Sequence, residues 1–259
     1  MKAIILAAGM GTRLGKYTEG KPKALLEFAG KSLLEYQLDT LRAAGITDIS
    51  IVKGYMAEKI NFPDVVYYED HSKTNMVTSL FCAREQMDDD FLLCYGDILY
   101  EPHVLEKVLN TDCDVGVTVD TDFLPYWNAR LENPQEDHES LVMNEDEIIK
   151  LGAPNPPESD IHGRYVGLIK FAGNGVNALK QTYDDLHKKH WDSPEPWYFS
   201  KSFKKAYMTD VLQAMIDDGN EVAAIKIEHG WLEFDTTNDY EKYQEWLKTG
   251  AMNSFFHFS

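Results

Sequence analysis

Three cysteines in 259 residues, with no CxxC pair among them, leave neither a disulfide framework nor a thiolate metal cage to build on. Cys82 and Cys94 sit in apolar runs, and together with Cys113 they read as reduced side chains of a cytoplasmic protein. Long hydrophobic runs are also missing. No stretch approaches the ~20 apolar residues that a spanning helix needs, and the apolar start at Ala3–Leu6 is broken by Gly9 and Arg13 too early for a signal peptide. Positive charge is scarce: 25 Lys+Arg stand against 43 Asp+Glu, a formal net charge of −18. That balance argues against nucleic acid and anionic membranes as partners, because both are bound through clustered Lys/Arg. The one basic region is residues 1–60, with nine Lys/Arg and six Asp/Glu, which leaves 16 against 37 for the rest.

Apolar residues make up 44% of the chain, enough for one substantial core, and no linker rich in Pro, Gly or Ser divides it. A single domain over 1–259 is expected. Ala3–Leu6, Ile49–Val52, Val65–Tyr68, Phe91–Tyr95 and Val115–Val119 read as buried strands. Ser32 and Glu35 fit a capping box ahead of a helical stripe of Leu33, Leu34, Leu38 and Leu41, and Asn75 caps a helix predicted through Glu85. Between 120 and 164 the pattern breaks into polar, Pro-containing sequence, read as an inserted β subregion or lid on the acceptor side. Beyond it come a strand at Tyr165–Phe171, helices at Val176–His190 and Tyr207–Asp218, strands at Val222–Ile227 and Trp231–Phe234, and a helix at Thr237–Leu247. This alternation predicts a Rossmann-like α/β fold, three layers αβα around a central, mostly parallel mixed sheet.

The densest chemistry is in Leu6-Ala-Ala-Gly-Met-Gly-Thr-Arg-Leu14, followed by Lys21-Pro-Lys23. Small residues directly after a strand let backbone N–H groups approach phosphate oxygens, and Arg13 and Lys23 add the charge that a polyphosphate requires. Gly9-Met-Gly11 taken alone also suits an ordinary tight turn. Leu14 stands where a dinucleotide fingerprint has its third glycine, and no Gly-Lys-Ser/Thr is present, so a Rossmann dehydrogenase and a P-loop NTPase are both disfavoured. His187 and His190 lie three apart without Glu or Cys partners nearby in sequence, which is poor material for zinc.

With Leu33-Leu34-Glu35-Tyr36 beyond it, this stretch resembles the N-terminal signature of the nucleotidyltransferase superfamily that activates sugar phosphates and small phosphorylated alcohols. Val52-Lys-Gly-Tyr55, Thr74–Leu80, Gly96-Asp97, Gly163–Leu168, Tyr207-Met-Thr-Asp210 and Trp231–Asp235 resemble the CTP-dependent cytidylyltransferases for phosphocholine, phosphonate or phosphoramidate acceptors. Lys16, and Lys31-Ser32 in place of Lys-Pro, depart from the common pattern. The resemblance implies that Arg13 and Lys23 contact phosphates in catalysis, and that Leu6, Ala7, Ala8, Gly9, Gly11 and Thr12 wrap the triphosphate beside Gly96. It implies a Mg²⁺ ion held by Asp97 and Asp235, each following an apolar strand so that both would emerge at one sheet edge. Cytosine would fall to the first loop, to Gly54 and Tyr55, and to Asn75, Met76 and Ser79.

For the acceptor, the second half supplies Trp127, Arg130, Glu139, Tyr165, Asp210 and Trp231, side chains able to form an aromatic and carboxylate cage for an ammonium group, with a guanidinium for a phosphate. The same aromatics suit a core or the interface of a homo-oligomer. The expected activity is transfer of CMP from CTP to a small phosphate, phosphonate or phosphoramidate, in the setting of cell-surface glycan decoration or phosphonate metabolism. A phosphate acceptor has its second pKa near ~6, so no general base is needed. A sugar-1-phosphate nucleotidyltransferase using UTP, dTTP or GTP is one alternative. A non-catalytic nucleotide-binding regulator on the same fold is another, and it predicts loss of Asp97, Asp235 or Lys23, all of which are present.

Overall fold

The structure, a computed structural model, describes residues 1–69 and 74–258. β1 (Lys2–Ala7) is apolar on both faces because it lies mid-sheet, with Ala3, Ile4 and Ile5 fully buried. A small hairpin of β2 (Glu27–Phe28) and β3 (Lys31–Ser32), not anticipated from the sequence, turns the chain into α1 (Leu33–Ala43). The predicted capping box forms: the Glu35 amide donates to the Ser32 hydroxyl at 3.2 Å, and the Ser32 amide donates to the Glu35 carboxylate at 2.7 Å. β4 (Ile49–Lys53), β5 (Val66–Glu69), α2 (Met76–Cys82), β6 (Phe91–Tyr95), β7 (Ile98–Tyr100), α3 (Pro102–Asn110) and β8 (Val115–Asp120) follow. α2 is shorter than its pattern suggested. The Ala83 amide bonds back to the Leu80 carbonyl, tightening the last turn, and the chain passes into a 3₁₀ turn at Arg84–Gln86.

The polar stretch after β8 holds α4 (Phe123–Arg130) and an antiparallel hairpin of β9 (Glu139–Asn144) and β10 (Glu147–Pro154). The hairpin extends the main sheet, since Glu147 pairs with Ala223 and the Ile148 amide donates to the Val222 carbonyl at 2.8 Å. β11 (Arg164–Phe171), α5 (Gly173–His190), α6 (Met208–Asp217), β12 (Ala223–Ile227), β13 (Trp231–Glu233) and α7 (Thr237–Thr249) complete the regular elements. Nine strands form one sheet in the order β5-β4-β1-β6-β11-β8-β12-β10-β9. Its pairings make β11 and β10 run opposite to the other strands, so the sheet is mixed and mostly parallel. One face is covered by α1, α3 and α7 through Leu34, Leu38, Val104, Leu105 and Tyr243, and the other by α2, α5 and α6 through Leu80, Leu179, Val211 and Leu212.

One topological expectation is corrected. The strand ahead of Asp235 does not belong to the main sheet: β13 pairs with β7 in a separate antiparallel ribbon, Trp231 opposite Tyr100 and Glu233 opposite Ile98. Bonds from the Glu101 amide to the Gly230 carbonyl at 2.8 Å and from the Phe234 amide to the Asp97 carbonyl at 3.0 Å extend the ladder at both ends. β7 begins one residue after Asp97 and the ladder ends one residue before Asp235, so antiparallel pairing sets the two aspartates side by side.

Candidate functional site

Loops leaving the carboxyl ends of β1, β4 and β6 surround a cleft of about 660 Å³, the position at which open α/β sheets take ligands. β1 and β6 come very close there. The Gly96 amide donates to the Leu6 carbonyl at 2.9 Å, and a Cβ on Gly96 would lie 2.4 Å from that oxygen, so no larger residue fits. Gly11 turns the first loop with a φ of +67°, and its carbonyl accepts from the Leu14 amide at 2.9 Å and the Thr18 hydroxyl at 2.7 Å. The Lys23 amide donates to the Gly9 carbonyl at 3.1 Å, closing the loop over its own basic segment.

The charged centre lies at the base of this loop. Lys23 Nζ donates to Asp97 Oδ2 at 2.6 Å and to Asp235 Oδ1 at 2.5 Å, and an Arg13 guanidinium nitrogen is 3.1 Å from the same Asp235 oxygen. Burial by itself would lower the Lys23 pKa, but the two carboxylate charges and their hydrogen bonds outweigh it and hold the ammonium above its ordinary value. Asp235 shows the converse balance. Burial would raise its pKa, and Lys23, followed by Arg13 and Arg130, brings it below the usual carboxylate range. Glu233, two residues before it, is pushed up to about 7 by burial and by the Asp235 charge, against the pull of Arg130.

The cleft brings together most of the residues expected to bind nucleotide: Leu6, Ala8, Gly9, Gly54, Tyr55, Asn75, Met76, Ser79 and Gly96 all line it. Ala7 does not. Its side chain packs into the core because successive residues of β1 face opposite sides. Gly11 and Thr12 shape the loop without lining the cleft. Asn75 caps α2 by accepting from the Met76 amide at 2.9 Å, and its own amide donates to the Lys205 carbonyl at 3.0 Å. Asp97, Met10, Thr74, Tyr95 and Lys205 complete the lining; Met10 and Thr74 lie within the motifs quoted above and Tyr95 ends a predicted strand, but none of these three, nor Lys205, was among the expected site residues. A strand-end Tyr95 adjoining Gly96-Asp97 could have been inferred from spacing, whereas Lys205 reaches the cleft only because the turn before α6 packs on α2.

Of the residues expected at the acceptor side, Tyr165 and Glu139 lie near the cleft residues Tyr95 and Asp97 without lining the cleft themselves. The Tyr165 hydroxyl is 2.8 Å from that of Tyr95, burial raises the pKa of both phenols, and the Glu139 and Asp97 charges raise them further. Glu139 keeps an exposed edge, yet the protein around it displaces enough water to raise its pKa. The other four are corrected. Trp127 and Trp231 are buried core rings stacked at 6.0 Å, and the Trp231 indole donates to Asp120 at 2.8 Å. Asp210 is consumed in capping α6, accepting from the Tyr207 amide at 2.9 Å, the Phe199 amide at 3.1 Å and the Ser200 hydroxyl. Arg130 is interior, its fork spent on Asp239 and Glu233. Buried aromatic and charged side chains carry the same letters as a ligand cage, so composition could not separate them.

No helix among the described residues is long and apolar enough to cross a membrane. Residues 3–141 match the family model described as the MobA-like NTP transferase domain. The chain is 33% identical over 254 residues to CTP:phosphoglutamine cytidylyltransferase of Campylobacter jejuni, covering 93% of this chain and 98% of that protein. It is 36% identical over 107 residues to choline-phosphate cytidylyltransferase of Streptococcus pneumoniae, covering 39% of this chain and 47% of that protein. Among solved structures, CTP:phosphocholine cytidylyltransferase from Streptococcus pneumoniae superposes with a TM-score of 0.71 at 22% identity, over 95% of this chain and 98% of that one, which speaks for a shared fold.

Proposed function

The chain belongs to the MobA-like NTP transferase family and is a nucleotidyltransferase, and on that premise we propose that it transfers CMP from CTP to a small phosphate-, phosphonate- or phosphoramidate-bearing acceptor with release of pyrophosphate. The observation that carries this reading is the Lys23 ammonium held between Asp97 and Asp235, beside Arg13, at the foot of a glycine-bearing loop. The family relative acting on phosphoglutamine supports CTP as donor and an acceptor that already bears phosphorus.

Asp97 and Asp235 offer hard carboxylate oxygens to one shared point, a donor set that suits Mg²⁺ in type and number. Those two residues would hold the ion, which when bound would supply positive charge to the substrate phosphates. Lys23 occupies the shared point in this structure and turns toward phosphate when nucleotide enters. The backbone N–H groups of the first loop receive the triphosphate, and Arg13 and Lys23 offset its charge. The acceptor oxygen attacks the α-phosphorus in line, the bond from that phosphorus to the bridging oxygen breaks, and its electron pair leaves on pyrophosphate. With an acceptor already ionised, no protein group needs to take a proton. Glu139 on β9 and Tyr165 on β11, next to Tyr95, are the residues nearest to hand for the acceptor.

Pyrophosphate release measured with CTP, UTP, dTTP, GTP and ATP against phosphocholine, aminoethylphosphonate, a phosphoramidate and sugar-1-phosphates tests the reading. CTP with a phosphorus-bearing small acceptor should turn over, and Asp97→Asn and Asp235→Asn should abolish it. Release with UTP and a sugar phosphate alone overturns the donor and acceptor assignments together, and near-normal turnover in both variants overturns the metal assignment.

A further inference from the structure

Beside Asp235 a single guanidinium meets three acidic residues. Arg130, at the end of α4, is about as buried as the core leucines, with 2% of its side chain exposed. Its Nε is 2.9 Å from Asp239 Oδ1 and one terminal nitrogen is 3.1 Å from Asp239 Oδ2, while the other terminal nitrogen is 2.6 Å from Glu233 Oε2. The nitrogen on Asp239 is also 3.9 Å from Asp235 Oδ2. Asp239 is fully buried and faces both ways. Its Oδ2 accepts from the Asp235 amide at 2.9 Å and the Thr236 amide at 2.8 Å, and its own amide donates to the Thr236 hydroxyl at 3.1 Å. Two tyrosines close the back: the Tyr126 hydroxyl accepts from the Glu233 amide at 3.1 Å, and the Tyr243 hydroxyl donates to the Glu233 carbonyl at 2.9 Å.

A helix cap alone would need only Thr236 and Asp239. Burying a guanidinium beneath them is costly unless the fork is fully used, and here its two sides are used on Glu233, two residues before Asp235, and Asp239, four residues after it. We infer that Arg130 and Asp239 are positioning residues for Asp235: Asp239 fixes its backbone amide, Arg130 fixes Asp239 and Glu233, and together they aim the Asp235 carboxylate at Lys23 and the cleft. The inference rests on the reading of Asp235 as a metal ligand. It also explains why a positive charge is placed where the sequence suggested a phosphate site. Lysine could not do this, because it lacks the planar fork that holds two carboxylates in fixed relation.

The test is Mn²⁺ binding followed by electron paramagnetic resonance, with the non-reacting α,β-methylene analogue of CTP present, on the full chain and on Arg130→Lys, Asp239→Asn and Asp235→Asn. Partners of metal ligands are commonly worth ~10–100-fold in metal affinity, so Arg130→Lys and Asp239→Asn should each weaken Mn²⁺ by about tenfold or more. In the same variants kcat should fall while the KM for CTP stays within about twofold, a split that general loosening of the fold would not give. Arg130→Met combined with Asp239→Leu and Glu233→Gln removes the guanidinium and both carboxylates paired with it, leaves none of the three as a lone buried ion, and should show the same loss of Mn²⁺ in a folded protein if the single variants misfold. Wild-type Mn²⁺ affinity in the folded Arg130 and Asp239 variants, with Asp235→Asn weakened, overturns the inference. Wild-type affinity in Asp235→Asn overturns the metal reading beneath it.

Discussion

Lys23→Met puts the charged centre to a quantitative test. The Asp97 and Asp235 oxygens lie 2.6 and 2.5 Å from Lys23 Nζ, and so no more than about 5 Å from each other. With the ammonium gone, two carboxylates at that separation repel by about 3 kcal/mol in an effective dielectric of about 20. Their side chains are 25% and 19% exposed, so solvent and salt screen part of this, leaving about 1–2 kcal/mol. For a chain of this size that is a melting temperature lower by about 2–8 °C in EDTA at pH 7.5. The sign with pH follows from Asp235. Its carboxyl is held below its ordinary value by Lys23, so the stabilisation is present above the unfolded value near 3.8 and is lost as pH falls through the folded one. The gap between wild type and variant should therefore close in acid. Millimolar Mg²⁺ should raise the melting temperature of Lys23→Met more than that of wild type, because no ammonium then competes for the shared point. Scanning calorimetry in EDTA and in Mg²⁺ reads both effects. Equal melting temperatures in EDTA together with equal responses to Mg²⁺ would refute the account of Lys23 as the cation between two metal ligands.

Glu233 gives a second, opposite pH dependence. A carboxyl raised from 4.5 to about 7 binds more protons folded than unfolded across that interval, so its contribution to stability is present at the acid end and lost as pH rises through 7. Relative to Glu233→Gln, metal-free wild type should lose up to about 3 kcal/mol between pH 4.5 and 8 in urea titrations, and a flat difference would show that Glu233 is not raised. At the cleft wall, Lys205→Ala should lower kcat/KM about tenfold in a folded protein, the size expected for one charge-assisted contact to an anionic substrate. An unchanged kcat/KM would remove Lys205 from the substrate site.

Local pattern made much of this molecule legible. The strands around Ala3–Leu6, Ile49–Val52 and Phe91–Tyr95, the capping box at Ser32 and Glu35, and the alternation behind a mostly parallel sheet are short-range features that the chain carries in its own periodicity. Arg13 and Lys23 were legible from the glycine-bearing loop after the first strand, and Asp97 and Asp235 through the family resemblance together with their strand-end placement; the fold brings all four together. The acceptor residues were less so. Arg130 pairs with Asp239 and Glu233, Asp210 accepts from Ser200, Trp231 donates to Asp120, and Trp127 stacks on Trp231; these contacts reach between 10 and 111 residues along the chain, and nothing in the immediate neighbours marks the four as buried.

The sequence by itself therefore determined the sheet-forming segments, the phosphate-type loop and the charge asymmetry that puts basic residues at the N-terminus of an acidic chain. Only the tertiary structure decided how Asp97 and Asp235 meet, because their proximity depends on the ribbon of β7 and β13, a pairing of two three-residue strands separated by about half the chain. It also decided that Arg130 faces inward and Lys205 faces the cleft. Both outcomes depend on what packs against a side chain from far along the chain, and periodicity records only which side of its own element a residue occupies.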